Sequence, residues 1–138
     1  MRALLIAALA LCSFPAHAQM APTFEQLADF LPPAPDGWDV SVLDQTEAMG
    51  GPTAVGQYMS DDDFFMITFS ASTMLSTLYA VEPATVPVGE ISMAENEGGL
   101  MAVVGQVAVS GMPGDASREL LLEALASVDF AAMQQLSD

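Results

Sequence analysis

Two long stretches without a single charge, Phe64 to Val81 and Gly98 to Gly114, set the limits on how this chain can fold. Elsewhere it is crowded with acids: 18 Asp and Glu residues stand against two bases in 138 residues. Carboxylates are rarely buried without partners, and cations that could pair with them are almost absent. The two uncharged stretches and their close neighbours therefore have to supply the core. Apolar residues make up 52% of the chain, which argues against disorder in spite of the charge.

The first eighteen residues are read as a cleaved export signal rather than as part of the fold. Arg2 supplies a basic start, Ala3 to Leu11 is an unbroken apolar run, and Ala16-His17-Ala18 is a small-x-small cleavage pattern ahead of Gln19. That apolar run is too short for a permanent span, and no later segment replaces it. Leu11 is bulky where a lipid-attachment cysteine normally follows a small residue, so Cys12 is not read as a lipid anchor. The expectation is a soluble periplasmic or secreted domain over residues 19–138. Removing the leader takes away Cys12, His17 and Arg2, which leaves 18 acids against Arg118 alone, a formal −17. Such a chain repels nucleic acid and anionic lipid, and it has no cysteine to form a disulfide.

Along the domain, Thr23 and Gln26 form a capping box for a short helix with Phe24, Leu27 and Leu31 on one face, ended by Pro32-Pro33. Pro35-Asp36-Gly37 is turn chemistry, and Trp38 to Val42 alternates as a half-buried strand does, with Trp38, Val40 and Val42 directed inward. Strands are expected over Thr53 to Met59 and Phe64 to Ala71. A helix over Ser72 to Ala80 would carry Met74, Leu75 and Leu78 on its core side. After an irregular connection at Pro83 and Pro87, three antiparallel strands follow at about Val88 to Ala94, Gly99 to Val104 and Val107 to Gly111. A helix capped by Asp115 or Ser117 packs with Leu121, Leu125 and Val128, and Asp129 caps a last helical turn through Leu136. The fold class predicted is α+β, a single antiparallel sheet of about six strands with flanking helices.

Between two of these strands lie Asp61, Asp62 and Asp63, which read as an acidic hairpin tip or as a cation site. A three-residue loop would set Met59 opposite Phe65 and Val55 opposite Phe69, so that Val55, Met59, Phe65, Ile67 and Phe69 share one face. Asp suits the left-handed backbone of such loops. A calcium loop spaces its carboxylates at alternate positions and bends at a glycine, and this tripeptide does neither.

The stretch "FLPPAPDGW" at Phe30 to Trp38, two strand triplets split by a helical segment, and the ending "SVDFAAMQQL" at Ser127 to Leu136 resemble small exported proteins of Gram-negative bacteria that have no assigned activity. That resemblance implies a periplasmic location and carries over no functional residues. The layout also resembles the Mog1/PsbP-like fold, an antiparallel sheet flanked by helices whose members often serve as assembly or accessory factors.

Without His, Cys or Lys, residues 19–138 offer no Ser-His pair, thiol nucleophile, Schiff base or His-based metal centre. Carboxylate pairs such as Glu95 with Glu97, or Asp36 with Asp39, sit at turns and strand starts where solvated acids are ordinary, so no enzyme and no cofactor is expected. The methionines raise a copper question, since thioethers suit Cu(I). Met49, Met59, Met66, Met74, Met93, Met101 and Met112 lack the close spacing of a local soft site, although Met59, Met66 and Met101 could converge across a sheet. Arg118 reads as one half of an ion pair, with Glu119, Glu123 or a carboxylate on a facing strand, or as an anchor for a small anion. Trp38 reads as core or as a ligand platform. Two functions remain: a noncatalytic accessory or interaction domain that presents its acidic surface to a basic envelope partner, and a small-ligand or divalent-cation (Ca or Cu) binding module.

Overall fold

The computed structural model describes residues 21–96 and 99–136. The expected leader, with Cys12 and His17, and Glu97 lie outside the described residues. The chain runs α1 (Phe24–Asp29), β1 (Asp39–Asp44), α2 (Thr46–Met49), β2 (Thr53–Met59), β3 (Phe64–Ser70), α3 (Thr73–Ala80), β4 (Val86–Val88), β5 (Ile91–Asn96), β6 (Gly99–Val104), β7 (Val107–Met112), α4 (Arg118–Ala126) and α5 (Phe130–Gln135).

The strands form one antiparallel sheet in the order β1-β2-β3-β7-β6-β5-β4. Two meanders thus meet at a seam where β3 pairs β7, with Phe69 opposite Val109 and Met66 opposite Met112. The sheet has seven strands rather than about six. The extra strand is β4, which pairs β5 through Val86 and Met93 and lies where Pro83 and Pro87 suggested an irregular connection. As an edge strand it tolerates Pro87, whose missing N–H need not join a ladder.

Side-chain alternation divides the sheet into two unlike faces. One face carries Ala54, Gly56, Tyr58, Phe65, Ile67, Phe69, Val109, Leu100 and Val104, and α1, α4 and α5 pack onto it. Its centre is an aromatic stack. Tyr58 lies parallel to Phe65 with ring centroids 4.6 Å apart, and Trp38 tilts against Phe65 at 5.3 Å. The Tyr58 hydroxyl donates to the Pro32 carbonyl at 2.6 Å, tying the proline run to the sheet. Gly56 and Gly111 let neighbouring side chains come close: a Cβ at Gly56 would stand 2.9 Å from the Tyr58 ring and 3.1 Å from Leu31, and one at Gly111 would stand 3.0 Å from both Leu121 and Leu125 of α4. The caps are those the local sequence indicates. Thr23 and Gln26 form the reciprocal box, Ser117 accepts from the Leu120 N–H, and Asp129 accepts from the Ala132 N–H.

The β2–β3 hairpin corrects the expected register. Met59 faces Phe64 and Tyr58 faces Phe65, around a four-residue loop, Ser60 to Asp63. The Ser60 N–H donates to the Asp63 carbonyl at 2.9 Å and closes it. One residue of slip exchanges the two faces of a strand, so Val55 and Met59 leave the side of Phe65, and the smaller Ala54 and Gly56 join Tyr58 there. The stack on Phe65 and the bond to Pro32 explain the choice, because both require Tyr58 inside.

Two further expectations are corrected. Trp38 is half-buried, but Val40 and Val42 of β1 are exposed: they point to the helix side at an outer edge that the helices do not reach. In α3 the inward residues are Leu75 and Tyr79, whereas Met74 and Leu78 are 60% and 56% exposed. Among the described residues no helix is long and apolar enough to cross a membrane.

Candidate binding surface

The second face of the sheet is only partly roofed. Helix α3 crosses it over β6 and β7, and α2 lies beside β2 at the far side. Between them runs a groove of about 300 Å³, floored by Val55, Gln57, Met66, Thr68, Ser110 and Met112. Leu43 and Met49 form one wall, and Leu75 and Tyr79 the other. Met59 and Phe64, directly opposite each other and both exposed, extend the apolar floor towards the hairpin tip. A smaller hollow of about 190 Å³ shares Tyr79, Ser110 and Met112 and reaches Met101. A larger open depression between α1 and α2 is bounded by Ala21, the first described residue.

Carboxylates adjoin the elements of this face along the chain. Asp44 and Glu47 flank the wall formed by Leu43 and Met49, Asp61 to Asp63 lie beyond Met59 and Phe64, and Glu82 follows α3; every acid among the described residues is exposed. Asp44 accepts from both the N–H and the hydroxyl of Thr46, starting α2. Hydrogen bonds to the charged form favour it, and those from the Thr46 hydroxyl and N–H hold the Asp44 carboxyl below its usual range.

Asp61, Asp62 and Asp63 occupy the exposed tip of the hairpin. Among the described residues no three His, Cys, Asp or Glu side chains gather as a metal site requires. Arg118 lies at the first position of α4 and meets Glu95 of β5 side-on: Nε donates to Oε2 at 2.6 Å and Nη2 to Oε1 at 3.0 Å. These bonds hold Glu95 below the usual carboxylate range and raise Arg118 further. Both side chains remain partly exposed, so the pair fixes where α4 starts without forming a buried charge site. Asp36 lies in the turn closed by the Trp38 N–H donating to the Pro35 carbonyl, and Asp39 opens β1. Trp38 packs on Phe65 and belongs to the aromatic stack.

The groove itself was not read from the sequence. Its floor mixes thioethers with an amide and hydroxyls at alternate strand positions: Gln57 and Met59, Met66 and Thr68, Ser110 and Met112. That alternation is the signal that could have revealed it, since a closed core would fill the same positions with branched or aromatic residues. No family model, curated protein or solved structure matches this chain, so what it binds has to be read from its own surfaces.

Proposed function

We propose that this chain is a noncatalytic accessory or interaction domain of the cell envelope, which takes a basic partner onto its half-roofed face. The observation that carries this reading is the apolar groove on a domain whose described carboxylates are all exposed, with the only base among the described residues already engaged by Glu95. Methionine-lined grooves adapt their shape to different apolar side chains. The surrounding negative field attracts cationic proteins over distances set by the Debye length, about 30 Å at 0.01 M salt and about 8 Å at physiological strength.

Capture of envelope proteins on the domain at two salt concentrations, followed by association kinetics for each identified partner, tests the proposal. Basic partners should associate more slowly as salt rises, while dissociation changes less because the apolar groove holds the docked complex. Acidic partners, or association indifferent to salt, would reduce the acidity to a solubility trait. A second reading, a divalent-cation module at Asp61 to Asp63, predicts saturable thermal stabilisation by micromolar calcium that is lost in Asp62→Asn. The docking proposal predicts no such stabilisation.

A further inference from the structure

The closed core accounts for some of the methionines and leaves others unexplained. Met93 and Met133 are fully buried in it. Met49, Met66 and Met112 instead line the groove, and Met112 is 47% exposed. Met66 and Met112 are far apart in sequence, yet the β3–β7 register sets them directly opposite each other. The Cα atoms of such a pair lie about 4.5–5.5 Å apart, within easy reach of two long side chains on one face. Met49, at the end of α2, enters the same groove from the wall.

We propose that Met49, Met66 and Met112 form a three-thioether site for Cu(I). Thioether sulfur is a soft neutral donor that suits Cu(I) and is poorly matched to calcium, magnesium or zinc. Three rotatable bonds in each side chain let the sulfurs close on one ion. The Gln57 amide Nε2 donates to the Met66 sulfur at 3.8 Å. This bond orients the thioether as an outer-shell partner does and leaves a second sulfur lone pair directed elsewhere. Among the described residues the only cation, Arg118, is paired with Glu95, and the exposed acids of the domain favour a positive ion. This site lies in the groove of the docking proposal but needs no protein partner.

The test is anaerobic titration of the whole domain with Cu(I) held by a chromogenic chelator, with Ag(I) binding followed by native mass spectrometry. One metal ion per chain is expected from both probes. Because thioethers carry no proton to displace, affinity should stay level from about pH 8 to about pH 5, where thiolate and imidazole sites weaken. Met66→Leu and Met112→Leu keep the apolar volume and should still fold, yet each should weaken binding at least about tenfold. Met74→Leu, on the outer side of α3, should not. Ag(I) should also protect Met49, Met66 and Met112 from peroxide oxidation in peptide maps. The proposal is overturned if neither metal binds one-to-one at micromolar concentration or if the Leu variants bind as well as the parent. If neither ion binds, docking of a basic partner in excess chelator would leave the earlier reading intact while this one fails.

Discussion

The two faces of the sheet are built from the same strands and meet opposite fates. On one side, α1, α4 and α5 close over Tyr58, Phe65, Ile67 and Phe69, and glycine at position 111 lets Leu121 and Leu125 of α4 come down against the strands. On the other, α3 and α2 leave a channel between them, and the side chains below it are thioethers, an amide and hydroxyls. The largest fully buried side chains lie on the first face, and the second keeps an apolar channel open. A channel that the flanking helices leave open is suited to meeting something else.

The strongest way to break this contrast is to cut adjacent residues of β3 that point to opposite sides. Phe65→Ala should destabilise by about 3–5 kcal/mol, as aromatic truncation in a closed core does. Phe64→Ala, on the exposed side, should cost no more than about 1 kcal/mol. Chemical denaturation of both variants decides it, and equal losses would mean that the faces are not asymmetric in energy. A second probe adds volume instead. Gly111→Ala places a methyl 3.0 Å from Leu121 and Leu125, and the overpacking should cost about 1–3 kcal/mol in the same assay.

The closed face also has a pH signature. Burial pushes the Tyr58 phenol well above its ordinary value, so the native state favours the neutral form. The stability this provides is fully present below the unfolded value of about 10 and is lost as pH rises towards the folded value, at up to about 1.4 kcal/mol per pH unit. Thermal melts at alkaline pH should show that decline, and Tyr58→Phe should flatten it while lowering stability at neutral pH through loss of the bond to Pro32. The smallest effect belongs to α3. The Ser76 hydroxyl is buried without a hydrogen-bond partner, so Ser76→Ala should raise stability by about 0.5–1 kcal/mol. A loss in the melt would show that the hydroxyl has a partner in solution.

Much of the closed face was legible in the sequence because its signals are local. The Thr23 capping box, the Ser117 and Asp129 caps and the spacing of Leu121, Leu125 and Val128 each depend on residues a few positions apart. The antiparallel sheet with flanking helices followed from strand runs and turns in the same way, short of β4, which Pro87 disguised. The open face was not legible, because it depends on register. Val55 and Met59 are more apolar than Ala54 and Gly56, so the apolar pattern alone favours the wrong side of β2, and only contacts from Tyr58 to the distant Pro32 and Phe65 reverse it. The same holds for α3, where Leu78 and Met74 look like core residues until the sheet selects Leu75 and Tyr79. No sequence spacing joins Met66 to Met112; the seam between the two meanders brings them together.

The two edges of the sheet differ as well, and the difference bears on how copies of this protein tolerate one another. One edge is the short, proline-bearing β4, a poor template for another chain. The other is β1, six residues long with Val40 and Val42 exposed, the kind of strand on which fibrils and runaway oligomers begin. If two copies joined symmetrically and antiparallel through β1, Asp39 of each would lie opposite Asp44 of the other, at both ends of the ladder. Like charges set directly across a strand pair oppose its formation. The hydrogen bonds from Thr46 hold the Asp44 carboxyl below the usual carboxylate range, which keeps its half of each opposed pair charged. Asp39→Asn together with Asp44→Asn should remove the protection and bring a concentration-dependent rise in light scattering at neutral pH.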